Sequence, residues 1–246
     1  MTPDVVVDIG NSRMKWGLVR GGRVADVAIL NLDNTEAWIE QSVKWELGKQ
    51  TAWVIASVNP AITNAFVNWL GEEANGISLL ETHLAIPLVL DVESPGSVGM
   101  DRLLACFAAK AYADPGAPFL VVQAGTALVI NRVDADGAFA GGAILPGLTL
   151  MAKSLRLHTA QLPEVIILDP VKPEPGRTTE AAVRTGIFWA SIGAILTLRA
   201  GFGGVELPIF ITGGDGHVLF DQIPAPVTLL PDLVLEGIRL AAEARP

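Results

Sequence analysis

The sequence predicts an α/β fold built from two related halves. One observation is that strand-like and helix-like segments alternate along the chain. The other is internal repetition. Val5-Val6-Val7-Asp8-Ile9-Gly10-Asn11-Ser12 reads as a buried strand entering a tight turn, followed by a second strand from Met14 to Val19. Leu120-Val121-Val122-Gln123-Ala124-Gly125-Thr126-Ala127 repeats that pattern and continues from Leu128 to Val133. Each copy then reaches a glycine turn, Gly21-Gly22 or Asp136-Gly137, and a third short run. Asp8 corresponds to Gln123, an offset of 123 − 8 = 115 residues. The halves are therefore expected at residues 1–115 and 116–246, each of ordinary domain size.

The remaining elements follow in order. Asn34 to Lys49 has helical character, with Trp38, Ile39, Val43, Trp45 and Leu47 as apolar points. Thr51 to Val58 reads as a strand halted by Asn59-Pro60. From Ala61 to Glu73, Ile62, Ala65, Phe66, Trp69 and Leu70 recur at helical spacing. Ile77–Leu80 and Ile86–Val89 read as short strands. Pro95, Gly96 and Gly99 make a loop before a helix whose apolar face is Leu103, Leu104, Phe107, Ala108, Ala111 and Tyr112. In the second half a Gly141–Gly147 loop precedes a helix from Leu148 to Leu157. The proline-rich stretch Asp169–Gly176 delivers the chain to a helix, Glu180 to Leu198, that Thr178 or Thr179 can cap. A strand, Pro208 to Thr212, ends in Gly213-Gly214-Asp215-Gly216, and an amphipathic helix from Asp232 to Ala244 closes the chain.

Composition narrows the partners. The net charge of −9 lacks the basic face that non-specific nucleic-acid binding requires. The single cysteine, Cys106, excludes an internal disulfide, and its apolar neighbours mark it as a buried structural thiol. No uninterrupted apolar run reaches the roughly 18 residues of a membrane span, and the N-terminus lacks a secretory pattern. A cytoplasmic protein that binds neither nucleic acid nor membrane is expected.

Two stretches can carry chemistry. In the first turn, Gly10 allows close backbone approach, free N–H groups can meet phosphate oxygens, and Asp8 suits Mg²⁺. The same residues also describe an ordinary turn. The second turn offers Gly125 and Thr126; together the two could share the phosphates of one nucleotide. Asp101 falls at a predicted helix start, where the helix dipole favours an anion. It is either a helix-start residue paired with Arg102 or a general base beside a basic anchor. Thr179 is either a cap or a hydroxyl directed at a ligand. His83, His158 and His217 show no metal-ligand spacing.

Read in order, Asp8 to Ser12, Ser57 to Pro60, Pro95 to Arg102, Gly125 to Ala127, Gly141 to Gly147, Gly176 to Thr179, Thr212 to Asp215 and Asp232 to Gly237 resemble the type III pantothenate kinases. That family belongs to the acetate and sugar kinase and actin superfamily. The resemblance implies duplicated ribonuclease H-like (actin-like ATPase) halves, each a mixed sheet with flanking helices. It implies ATP-dependent phosphorylation of pantothenate to 4′-phosphopantothenate, the first step of coenzyme A biosynthesis, by a homodimer. Carried over by position, Asp8, Ile9, Gly10, Asn11, Ser12, Arg13, Met14 and Lys15 bind ATP phosphates, with Asp8 on Mg²⁺. Gly125 and Thr126 bind ATP. Gly99, Met100, Asp101, Arg102 and Thr179 bind pantothenate, and Asp101 is the catalytic base.

Three positions depart from the family pattern. Gln123 stands where Asp usually helps hold a monovalent cation (K⁺ or NH₄⁺), so that site is expected to be weakened or absent. Leu128-Val129 replaces further threonines. Val92 stands where a tyrosine usually contacts substrate. These leave two alternatives beside the pantothenate kinase: a kinase of another small hydroxylated substrate, and a weak or inactive nucleotide-binding paralogue with a regulatory role.

Overall fold

The structure, a computed structural model, describes residues 2–71 and 76–245. In chain order its elements are β1 (Val5–Ile9), β2 (Met14–Arg20), β3 (Arg23–Leu30), α1 (Thr35–Lys44), β4 (Trp53–Ser57), α2 (Pro60–Leu70), β5 (Ile77–Leu80), α3 (Met100–Ala109), β6 (Phe119–Ala124), β7 (Ala127–Val133), β8 (Phe139–Pro146), α4 (Leu148–His158), α5 (Thr179–Phe202), β9 (Ile209–Thr212), α6 (Gly216–Phe220), β10 (Val227–Leu229) and α7 (Leu233–Glu243). The chain divides into two compact units. One is Met1–Tyr112 with Asp232–Pro246, the other Ala113–Pro231.

In the first unit the strand order is β3-β2-β1-β4-β5. The hairpins β1–β2 and β2–β3 are antiparallel, and β1–β4 and β4–β5 are parallel. Alternation splits the sheet into two apolar faces. Val5, Val7, Ile9, Met14 and Trp16 pack with Trp38 of α1 and Phe66 of α2. Trp16 meets Trp53 edge-on at 5.1 Å between ring centres, and Phe66 stacks on Trp69 at 5.5 Å. Such pairs add about 0.5–1.5 kcal/mol each beyond area burial. Val6 and Gly17 belong to the other face, which α7 covers: a Cβ on Gly17 would sit 3.3 Å from Leu235 Cδ1.

The second unit repeats this plan. Its order, β10-β9-β6-β7-β8, read from β8 gives the same hairpin strands, central strand and two parallel strands. Gln123 is the penultimate residue of β6 as Asp8 is of β1, which places the repeat at the offset the sequence indicates. Leu120, Val122, Leu128 and Ile130 form its core with Ile187, Phe188, Ile192 and Ile195 of α5.

Several expectations are revised. The expected second half, 116–246, does not hold together as one unit, because its last segment packs in the first. Leu233, Leu235, Ile238, Ala241 and Ala242 of α7 are buried, and Gly237 brings α7 backbone to backbone with α3: a Cβ there would lie 2.2 Å from Leu104 O. Ile86–Val89 is not a strand; Pro87 has no N–H for a ladder, and a 3₁₀ turn, His83–Ala85, precedes it. Helix α1 stops at Lys44 rather than Lys49, with Glu46 at φ 56°. Helix α2 starts at Pro60, with Asn59 as its cap, and ends at Leu70; the expected end, Glu73, lies outside the described residues. The short elements α6 and β10 have too few residues to show a period. Helix α5 is long and apolar enough by length and composition to cross a membrane. Counting uninterrupted apolar runs misses it, because Glu180, Arg184 and Arg199 punctuate the helix.

The α3–α7 contact yields a paired prediction. Gly237→Ala should lower stability by about 1–3 kcal/mol, because a carbonyl already occupies the added methyl's place. Gly186→Ala on α5, where nothing lies within 4 Å of the new Cβ, should be neutral or stabilising by up to about 1 kcal/mol. Urea midpoints of the two variants check both signs.

Candidate active site

In the first unit, strand pairing decides where the polar side chains go. Val6 pairs with Gly17 and Asp8 with Lys15. Residues two apart share a face, so Asp8 and Lys15 leave the sheet on the side that α7 covers. The turn between β1 and β2, residues 10–13, is closed by Gly10 N donating to Arg13 O at 3.0 Å. Arg13 is held outward by a hydrogen bond to Asn31 Oδ1. Helix α3 packs against α7 and begins at Met100, which puts Asp101 in its first turn, as the sequence indicates. Gly99 leaves room for the carboxylate: a Cβ there would sit 2.6 Å from Asp101 Oδ1 and displace it.

The electrostatics tie these residues together. The Asp8 carboxyl is raised from 3.8 to about 7, by burial first and by the charge of Asp101 second, against the lowering effect of Lys15. Burial also raises Asp101, against the N–H and guanidinium of Arg102 and its own backbone N–H. Burial lowers Arg102 from its ordinary value, and burial pushes the Cys106 thiol up, as suits a structural thiol. Asp8, Lys15, Asp101 and Arg102 thus act on one another through space, which sequence spacing of about 90 residues gives no hint of.

Two neighbours of this group escaped selection by residue type. Asp232 caps α7 by position, yet its side chain makes no capping bond. Its carboxyl is raised by burial, lowered by Lys15 and raised by Glu236, so Lys15 lies in the field of both Asp8 and Asp232. Ser57, at the end of β4, hydrogen-bonds to Ile9 O at 3.4 Å and accepts from Asn59 N at 2.9 Å, which ties the loop after β4 to the end of β1. Both belong to the ordered stretches quoted above, the one signal that marks them.

In the second unit the equivalent turn is shorter, residues 125–126, and glycines pin it. Gly147 N donates to Thr126 O at 3.0 Å, and a Cβ on Gly147 would collide with Gly125 O. Gly213, at φ +95°, sits against Ala124 O, and Asp215 N donates to that same oxygen at 3.0 Å. The backbone therefore holds Thr126 exposed at the strand end. Gln123 accepts a hydrogen bond from Asn131 Nδ2 at 2.9 Å. Burial raises the Asp215 carboxyl, and His217 lowers it. Leu128 and Val129 are buried. Thr179 is the first residue of α5 and exposed; Thr178 is the cap, its Oγ1 accepting from Ala181 N at 3.1 Å. The residues selected for substrate are thus divided, Gly99–Arg102 on the first unit and Thr179 on the second.

The donor set fits a hard cation in the first turn: Asp8 supplies a carboxylate beside a glycine turn open to oxygen ligands. Among the described residues no group of three or more His, Cys, Asp or Glu side chains is placed to hold a metal by itself. A cation at Asp8 would take its other ligands from phosphate and water.

Comparison with known proteins agrees with the motif order. A family model described as type III pantothenate kinase matches residues 5–200. The type III pantothenate kinase of Synechococcus sp. (strain JA-3-3Ab) is 33% identical over 238 residues, covering 94% of this chain and 88% of that protein. That of Sphingopyxis alaskensis is 30% identical over 252 residues, covering 95% of each. Among solved structures, a Campylobacter jejuni protein named as a conserved Baf family transcriptional activator superposes with a TM-score of 0.67 at 20% identity, covering 97% of each chain. The inorganic polyphosphate/ATP-glucomannokinase of Arthrobacter sp. strain KM does so at 0.51 and 12% identity over the full length of both. At those identities the likeness shows the fold, which is that of the actin-like kinases with duplicated ribonuclease H-like halves. On the family match and the length of the shared sequence, this chain belongs to the type III pantothenate kinase family.

Proposed function

We propose that this protein transfers the γ-phosphoryl group of ATP to the primary hydroxyl of pantothenate, giving 4′-phosphopantothenate for coenzyme A synthesis. The observation that carries the reading is the electrostatic coupling of Asp8, beside the glycine turn, with Asp101 at the start of α3. Phosphoryl transfer asks a protein mainly for positioning and charge neutralisation. In this reading the Gly10 N–H closes the turn, and the N–H groups that follow it, from Asn11 to Arg13, bind phosphate oxygens together with the Lys15 ammonium. Asp8 holds Mg²⁺, which when bound neutralises phosphate charge. Gly125 and Thr126 bind ATP from the second unit. Arg102 and the turn at Gly99-Met100 anchor pantothenate, as does the Thr179 hydroxyl, and Asp101 accepts the hydroxyl proton. Burial raises the Asp101 carboxyl, which makes it a stronger base than a solvated aspartate.

The same reading takes the protein to be a cytoplasmic homodimer that binds neither nucleic acid nor membrane. The negative net charge supports the second point, and the exposed Ile144, Leu150, Leu157, Ile166 and Leu168 of the second unit supply apolar surface for a partner copy. One observation favours a second reading, nucleotide binding without turnover: where the family pattern has Asp and further threonines, the second unit has Gln123 and the buried Leu128 and Val129. A third, a different hydroxylated substrate, rests on Val92.

Three measurements test the kinase. Coupled ADP formation should require both ATP and pantothenate. Asp101→Asn should lower kcat by about 10²–10⁴-fold, the usual contribution of a positioned base, with ATP affinity little changed; a near-normal rate would remove Asp101 from that role. The pH dependence follows from Asp8. Its folded value, about 7, lies above its ordinary 3.8, so over that window the folded state keeps a proton that the unfolded chain has lost. Stability of the ligand-free protein should therefore fall as pH rises through the window, while Mg-ATP affinity, which needs the carboxylate, rises. Both trends should flatten in Asp8→Asn, as read by Tm and by calorimetric titration.

A further inference from the structure

The end of β6 carries an uncharged side-chain pair. Gln123 Cα pairs with Val129 and Val121 with Asn131, so Gln123 and Asn131 are diagonal neighbours on one face of the β6–β7 hairpin. Diagonal neighbours are within reach of long side chains, and Asn131 Nδ2 donates to Gln123 Oε1 at 2.9 Å. Asn131 is fully buried, at 0% exposure. A buried amide of this kind is retained at a cost unless its polar atoms are matched, and this bond matches an Asn131 donor with the Gln123 oxygen.

That pair does not fit a monovalent cation. A cation stripped of water needs oxygen lone pairs aimed at it, and a carboxylate among them strengthens the site. Here the Gln123 oxygen already faces an N–H, whose partial positive charge occupies the direction from which an ion would be held. Gln123 brings no charge of its own, and among the described residues no group of three or more His, Cys, Asp or Glu side chains is placed to hold a metal. An amide hydrogen of Asn131 stands in for the ion: it satisfies the Gln123 oxygen near the end of β6, two residues before Gly125.

We infer that the second turn is held by the Gln123–Asn131 amide pair and that nucleotide binding and turnover need no monovalent cation. The inference rests on the kinase reading for turnover, but not for nucleotide binding.

The experiment measures pantothenate-dependent ADP formation and calorimetric Mg-ATP affinity in KCl, NH₄Cl and tetramethylammonium chloride at equal ionic strength. Rates and affinities within about twofold across the three salts are expected; a gain of about tenfold or more in K⁺ or NH₄⁺ overturns the inference. Gln123→Asp would place a buried carboxylate beside Asn131. That variant should become K⁺-responsive in Tm and Mg-ATP affinity, while the wild-type Tm is the same in all three salts. A folded variant that responds to K⁺ no more than the wild type would show that the neutral amide is not what excludes the ion. If the variant does not fold, the wild-type salt comparison decides alone. Absence of turnover in every salt removes the kinase reading, and the Mg-ATP affinities still decide the inference. Absence of Mg-ATP binding in every salt overturns both.

Discussion

The first unit is organised by a carboxyl group that water cannot fully solvate. Asp8 is the penultimate residue of the central strand of a sheet covered on both faces, and its pKa is raised to about 7, chiefly by desolvation. Asp101 adds repulsion, and Lys15, its pairing partner across the hairpin, only partly relieves it. A group in that condition is stabilised by whatever positive charge arrives, and Mg²⁺ with a nucleotide is a natural source. The start of α3 acts on this carboxyl through Asp101, and the start of α7 acts through Asp232 on Lys15, the pairing partner of Asp8.

The two copies of the strand–turn–strand unit have diverged in how they hold their turns. The first leaves four residues between its strands, closes with a single backbone bond from Gly10 N to Arg13 O, and carries the charged side chains Asp8, Arg13 and Lys15. The second leaves two and relies on backbone, with Gly147 and Gly213 pressed against carbonyl oxygens of the turn itself. A tight turn fixed by main-chain contacts tolerates a neutral residue at the position of Asp8, because its geometry does not depend on a bound charge. Gln123 with Asn131 is consistent with that division of labour.

Close backbone approach recurs elsewhere. Gly237 permits α7 to touch α3 at Leu104, and Arg239 is matched on its own helix by Glu236 and Glu243 at 2.7 Å each. Glu236 also accepts from Val24 N of β3 at 2.7 Å. The last helix is thus stitched to the first unit at several points, and its first residues bring Asp232 into the field of Lys15. In the second unit Arg199 plays a comparable structural part, donating to the carbonyls of Leu207, Pro224 and Pro226 at the end of α5.

Local chemistry made much of this legible in the sequence. The period-two strands, the repeat that relates Asp8 to Gln123, Asp101 at a helix start and the cap before α5 all follow from side chains acting on their own neighbourhood. Long-range contacts decided the rest. Pro87 cancels the strand that Ile86 to Val89 suggests, because the pattern of apolar residues does not register a missing donor. The home of α7 could not be read from its amphipathic pattern, which says that one face is buried but not against what. The shift of Asp8, its coupling to Asp101, the effect of Lys15 on Asp232 and the hydrogen bond between Gln123 and Asn131 join residues up to 217 positions apart, Lys15 to Asp232. The sequence determines which groups can ionise or donate; desolvation and through-space charge exist only once the sheet and helices have brought those groups together.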